Sequence, residues 1–176
     1  SENVALGYES MELNESGNRN IAIGPSALYG NVSGSDNIAL GEFTLKDNVE
    51  GSNNVALGSR TMFSNISGEK NIALGREALH LNESGNNNVA AGYGALMNNT
   101  DGNQNVAIGF QALYTNTSGS NNIAIGTNAM YHKNTGGANL AICEEALMLN
   151  STGAANIAVG KGALKSMTTG SSNVAV

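Results

Sequence analysis

The sequence predicts an all-β chain folded as a parallel β-solenoid of ten 17-residue coils. Three observations predict it. Asparagine returns at every seventeenth residue, at Asn3, Asn20, Asn37, Asn54, Asn71, Asn88, Asn105, Asn122, Asn139, Asn156 and Asn173, with no insertion or deletion between them. Each asparagine opens a segment N-[VIL]-A-[ILVA] that is rich in β-branched residues and too short for a helix, and in the ten full repeats glycine follows it except at Cys143. Glycine also recurs at the fifteenth position of all ten full repeats, from Gly17 to Gly170. A short fixed period marks stacked units, each covering its apolar surface only against its neighbours. Residues 1–176 therefore form a single repeat domain, with coils starting at those ten asparagines and a partial coil from Asn173.

Taken in order along one coil, the positions divide into buried and solvated parts. Positions two to four read as a strand, so positions two and four share one face and the alanine at position three takes the other. Both faces are apolar, and a strand covered on both sides needs two neighbours. One is the interior of its own coil, completed by Leu or Met at position nine, from Met11 to Leu164. The other is expected to be a second copy of the chain. The run N-x-[ST]-G, as in Asn116-Thr117-Ser118-Gly119, reads as a turn in which glycine supplies positive φ. Coils spaced about 4.8 Å apart make a rod roughly 50 Å long, along which the position-one asparagines can form an amide ladder. None of the 22 charged residues occupies positions one to five, eight or nine, and all eight aromatics fall at positions six, seven or ten. Those positions are the expected outer surface.

Composition narrows the function. Only 12% of residues are charged and the formal net charge is −6, so no basic stripe exists to neutralise nucleic-acid phosphates. No apolar run approaches the roughly 18 residues of a membrane span, and no direct membrane insertion is expected. The chain opens on Ser1-Glu2 and stops at Asn173-Val174-Ala175-Val176 without polar end caps, so it is expected to be a segment of a longer fibre.

The N-[VI]-A-[IL]-G core with its trailing Ala-Leu resembles the YadA-like head repeats of trimeric autotransporter adhesins. The full 17-residue form, clearest in Asn105-Val106-Ala107-Ile108-Gly109 through Gly119-Ser120-Asn121, is similar to N-x-A-x-G-x-x-A-L arrays of phage-type tail fibres. The likeness covers the whole chain. It implies a left-handed β-roll, a homotrimeric fibre, an extracellular place on a cell surface or virion, and attachment to a cell-surface glycan or protein receptor. No family binding residue transfers, because the repeat core is scaffold.

Candidate sites are few, and no catalytic, cofactor or metal site is expected. Seven Asn-x-Ser/Thr sequons, at Asn14, Asn31, Asn65, Asn82, Asn98, Asn116 and Asn150, largely coincide with the repeat's turn. Cys143 replaces glycine at position five and is expected to be a buried, inert thiol. His80 and His132 lie about 14 Å apart at stacked-coil spacing, too far for one metal, and are expected to be solvated. Glu42, Glu77, Glu144 and Glu145 lie on the outer face with no pocket implied, against paired-carboxylate hydrolysis. An acyltransferase on a hexapeptide helix does not fit a period of 17, and a leucine-rich horseshoe needs a longer repeat. An ice-binding or other repetitive-surface solenoid is an alternative, with threonines at positions thirteen and fourteen, but Glu15, Val32, Val49 and Glu83 interrupt them and count against a regular ice-binding plane. Tyr93, Phe110, Tyr114 and Tyr131 remain as an aromatic stripe for receptor contact, aromatic residues being common interface anchors; a plain spacer carrying a tip adhesin elsewhere is the alternative.

The inside–outside assignment is directly testable. Ala107→Asp is expected to lower stability by about 3 kcal/mol or more, because it buries an unpaired carboxylate. Gln111→Asp, in the same repeat, should shift it by about 0.5 kcal/mol or less. Thermal melting of the two variants checks this, and equal melting temperatures would reverse the assignment.

Overall fold

The computed structural model describes residues 2–133 and 135–176; Ser1 and Asn134 lie outside the described residues. Positions two to four of successive coils form the strands β1 (Val4–Leu6), β2 (Ile21–Ile23), β3 (Ile38–Leu40), β4 (Val55–Leu57), β5 (Ile72–Leu74), β6 (Val89–Ala91), β7 (Val106–Ile108), β8 (Ile123–Ile125), β9 (Leu140–Ile142), β10 (Ile157–Val159) and β11 (Val174–Ala175). They pair in parallel and strictly in chain order as one 11-stranded sheet. The register is one whole coil: Ala107 stands beside Ala90 and Ala124, and Ile108 beside Ile125. No helix occurs among the described residues. The architecture is the parallel β-solenoid that the repeat predicts.

The return path of each coil is also ladder-bonded to its neighbours. Leu113 N–H donates to the Ala129 carbonyl at 3.0 Å, and Gln111 N–H to the Tyr93 carbonyl at 2.9 Å. Seventeen residues close so tight a loop because four of them take left-handed backbone angles. In the coil that starts at Asn105 these are Gly109 (φ 131°), Gln111 (52°), Leu113 (53°) and Asn121 (60°), and the same four positions are left-handed in every full coil. Each non-glycine residue in that region carries a cost of about 1–2 kcal/mol, which persists because the coils above and below fix the backbone. At Gly109 a Cβ would lie 2.7 Å from the carbonyl carbon of Gly126.

The fifteenth-position glycines serve a different purpose from the one the turn motif suggests. They are not left-handed. A Cβ on Gly119 would meet the Asn116 side chain and come within 2.7 Å of the Gly136 carbonyl oxygen, so glycine is needed there for close approach.

The two faces of the strand are now distinguishable. Alanine points inwards, and the alanine column from Ala22 to Ala158 is fully buried. It packs against the leucines and methionines of position nine, such as Leu96, Leu113 and Met130, and the small residues of position eight, such as Ala95 and Ala112. The larger Val, Ile and Leu of positions two and four point outwards. So flat a coil has room inside for alanine opposite leucine, and none for two large side chains.

Two columns of asparagine run inside the rod. At position one, Asn105 N–H donates to Asn88 Oδ1 at 3.0 Å, and its Nδ2 donates to the Gly119 carbonyl at 2.8 Å. This is the ladder expected from the sequence, and it also closes each coil by tying position one to position fifteen. The second column was hidden in the turn motif. Asn116 Nδ2 donates to Asn99 Oδ1 at 2.8 Å and to the same Gly119 carbonyl at 2.9 Å, and the chain of amides continues through Asn82. Asparagines of both columns, Asn105 and Asn116 among them, are fully buried.

One rung of the second ladder is a lysine. Lys133 is fully buried, and its Nζ donates to Asn150 Oδ1 at 2.8 Å and to the Gly153 carbonyl. Lysine has no amide with which to continue the ladder, and Asn116 Oδ1 and Asn150 Nδ2 are left without partners. An orphaned buried polar atom costs about 1–3 kcal/mol. Burial also pushes the Lys133 amine from its ordinary 10.5 down to about 8. Lys133→Asn is therefore expected to stabilise the chain by about 2 kcal/mol or more at pH 7, by satisfying both orphans and removing the buried charge. The unfolded lysine holds its proton up to its ordinary value, whereas the folded one releases it near 8, so folding is disfavoured most below pH 8. Melting curves of both proteins should show the gap narrowing between pH 8 and 10, as the wild type sheds the proton. A gap that widens over this interval would contradict the assignment.

Candidate functional site

The outside of the rod carries two surfaces of contrasting character. The first is the outward face of the sheet. Positions two and four hold 22 aliphatic residues in two columns along the full length of the chain. Ile72 is 42% exposed, Ile108 41% and Ile157 40%, in an element whose alanines are wholly buried. The columns stand about 7 Å apart and run roughly 50 Å. A ridge of that size matches or exceeds the largest apolar patch of an ordinary monomer, some 300–600 Å².

The second surface is formed by positions six, seven, ten and eleven. Here neighbouring coils differ, and stacking brings the aromatics together in two groups. Tyr93 and Phe110, both at position six, stack with ring centroids 5.5 Å apart and 14° between planes. Tyr114 and Tyr131, both at position ten, stack at 5.0 Å and 2°. His132 meets the Tyr131 ring edge-on at 4.7 Å. Tyr114 packs over Gly94, which separates its stack from the position-six pair. The four aromatics expected as one stripe are thus two parallel pairs on one face, one on each side of position seven. Burial, followed by the proximity of Tyr131, holds the Tyr114 phenol above the ordinary tyrosine range.

The other group could not be found by scanning for aromatics alone, because it mixes positions seven and ten over four successive coils. Phe43 and Phe63 meet edge-to-face at 6.5 Å, and Phe63 stacks on His80 at 5.3 Å and 26°. Lys46 Nζ lies 5.1 Å from the Phe63 ring centroid and 5.9 Å from that of Tyr29, while the Arg60 guanidinium lies 5.8 Å from that of Phe43. Phe43, Lys46, Arg60, Phe63 and His80 line a cleft of about 320 Å³. His80 is only half exposed, and its Nδ1 is 2.9 Å from the Arg60 carbonyl. A carbonyl accepts only, so Nδ1 carries the proton, and in the neutral ring Nε2 keeps its lone pair. The reading of His80 as simply solvated is corrected accordingly; His132 is exposed.

The remaining candidates fall on the scaffold or in solvent. Cys143 is exposed, contrary to the buried thiol inferred from its replacement of glycine. Its φ is 94°, so position five calls for glycine through its backbone angle, not through burial of the side chain. Among the sequons, Asn31, Asn65, Asn82, Asn116 and Asn150 are fully buried inside the coil, which removes them as glycan acceptors in the folded chain. Glu144 and Glu145 form surface ion pairs with Lys161 and Lys165, each at 2.8 Å. Among the described residues, no three His, Cys, Asp or Glu side chains gather as a metal set, and no helix is long and apolar enough to cross a membrane.

Comparison with family models, with curated proteins and with solved structures found no match. The functional reading therefore rests on the chain's own surfaces.

Proposed function

We propose that the chain is a structural and adhesive segment of a homotrimeric fibre, set outside the cell on a surface or on a virion tail, where it mediates attachment to a cell or host. The carrying observation is the aliphatic ridge that runs uncovered along every coil. Fully burying an isoleucine side chain contributes about 1.5–3 kcal/mol, and residues near 40% exposure forgo a part of it that recurs from coil to coil. Self-association is the simplest cover, because identical chains carry identical ridges in the same register. A strand of three residues presents only two outward columns. So narrow a ridge makes a poor sheet-on-sheet sandwich, whereas three such ridges can meet around one axis and fill it. The resemblance to trimeric adhesin heads and tail fibres implies the same number of chains.

In this arrangement the ridge faces the axis and positions six, seven, ten and eleven remain outside. Those positions carry no part of either amide ladder and vary freely between coils. A receptor surface can be written there without disturbing the fold. Three copies of each patch would raise weak binding by on the order of 10²–10⁴ where geometry lets them engage together.

Light scattering after gel filtration should give about three chain masses for the wild type. The double variant Ile108→Lys, Ile125→Lys should shift the species towards the single-chain mass while keeping a β circular-dichroism spectrum. A wild-type chain that stays monomeric and folded at micromolar concentration would overturn the trimer. For attachment, replacing Tyr93, Phe110, Tyr114 and Tyr131 by serine should reduce adhesion to target cells at least tenfold with little change in melting. Full adhesion at unchanged stability would leave this face of the segment as a spacer.

A further inference from the structure

We infer that the cleft formed by Phe43, Lys46, Arg60, Phe63 and His80 is a binding site for a carboxylated sugar ring, as found in acidic saccharides. The cleft belongs to one chain and lies on the variable face, away from the aliphatic ridge, so it is open in the single chain. Its occupation does not depend on trimer formation.

Charge is the first argument. The chain has 8 Lys and Arg against 14 Asp and Glu, yet two of the eight cations converge on this cleft, among three aromatic rings. Of the two, Lys46 is partly neutralised by Asp47 at 3.5 Å. Arg60 makes no ion pair among the described residues, and its guanidinium rests against Phe43 and is exposed to solvent. A free guanidinium fork matches the two oxygens of a carboxylate. The surrounding acids favour a single negative charge over a dianionic phosphate. Asp47 stands beside Lys46, Glu42 on the neighbouring position-six column, and Glu77, one coil beyond Arg60, is already held by Arg76 at 3.3 Å.

Shape and polarity are the second. Phe63 and His80 are stacked and Phe43 stands edge-on to Phe63, so the wall is aromatic surface of the kind against which the C–H groups of a pyranose pack. With Nδ1–H bonded to the Arg60 carbonyl, the neutral His80 ring presents Nε2 as the atom that takes a hydrogen bond from a sugar hydroxyl. The volume, about 320 Å³, is at the small end of ligand sites, which span roughly 300–1,000 Å³. It accommodates one or two rings and not a folded partner.

The site sharpens the attachment reading by naming a ligand class, and it stands on residues apart from the Tyr93, Phe110, Tyr114 and Tyr131 pairs. Its test is saturation-transfer NMR and calorimetry on the intact chain with four probes: glucuronate, N-acetylneuraminate, glucose and glucose 6-phosphate. Either carboxylated sugar should bind at least tenfold more tightly than glucose, and more tightly than the phosphosugar. Arg60→Gln should bring that sugar down to the level of glucose with an unchanged melting temperature, since Arg60 is exposed. Phe63→Leu should weaken the carboxylated sugar and glucose alike. Absence of binding by both carboxylated sugars, equal binding by Arg60→Gln, or preference for the phosphosugar would each overturn the assignment. Because the probes are monovalent, a chain found to be monomeric still gives a decisive answer here. A failure of the cleft likewise leaves the trimer and the tyrosine pairs standing.

Discussion

The fold depends on one repeated interaction, the shared carbonyl at position fifteen. In the central coil the Gly119 carbonyl accepts from the amide of Asn105 and from that of Asn116. It thereby joins the strand to the turn across the hollow of the coil. Each of those asparagines is also bonded to its counterpart 17 residues earlier, so closing one coil and stacking it on the next are the same act. Buried amides are stabilising only when their donors and acceptors are satisfied. The requirement fixes the period. A residue inserted in any coil would carry both asparagines out of line with the coil before it.

Position fifteen must then be glycine, because the ladder atoms and the next coil's carbonyl occupy the place of its Cβ. The interior must be thin, so alanine takes the inward side of the strand and leucine or methionine the facing position. The larger aliphatic residues are left to the outside, where they form the ridge. The chain thus fills each coil with alanine against one leucine or methionine and turns the large side chains of its strands to an outer surface. In the proposed trimer that surface is the shared core of three chains. What is left, positions six, seven, ten and eleven, answers to neither requirement, and there the aromatic and cationic side chains collect.

Much of this was legible from spacing alone. The period, the strand, the buried alanine and leucine columns and the position-one ladder follow from which residue types recur and which never appear. Other features needed the stacked geometry. Asn116 and its counterparts sit in a run that reads equally well as a turn, and only the closed coil shows their amides facing inwards. Alternation left open which strand face is interior, since both are apolar. Cys143 misled because position five favours glycine through its positive φ and its close approach to the next coil's backbone, neither of which requires the side chain that replaces it to be buried. The cleft around Arg60 escaped notice because its members come from three coils, Phe43 and Lys46 from one, Arg60 and Phe63 from the next and His80 from the third, and they close into one wall only when positions seven and ten are read down the stack rather than along the chain. Lys133 stands out only once the second ladder is seen, and the cost of that exception appears in the unpartnered atoms of Asn116 and Asn150.

The constraint of period is tested most directly by comparing two deletions in the middle of the rod. Removing residues 105–121 takes out one complete coil and joins Gln104 to Asn122 in the original register. Removing residues 105–120 leaves one residue too many, and shifts every later asparagine off its ladder. Ladder-coupled stacking predicts that the first protein keeps the full β circular-dichroism signal per residue and melts cooperatively, close to the parent. The second should lose stability sharply, with amide exchange becoming rapid in the coils that follow the junction. Equal melting and equal exchange protection in the two proteins would contradict it.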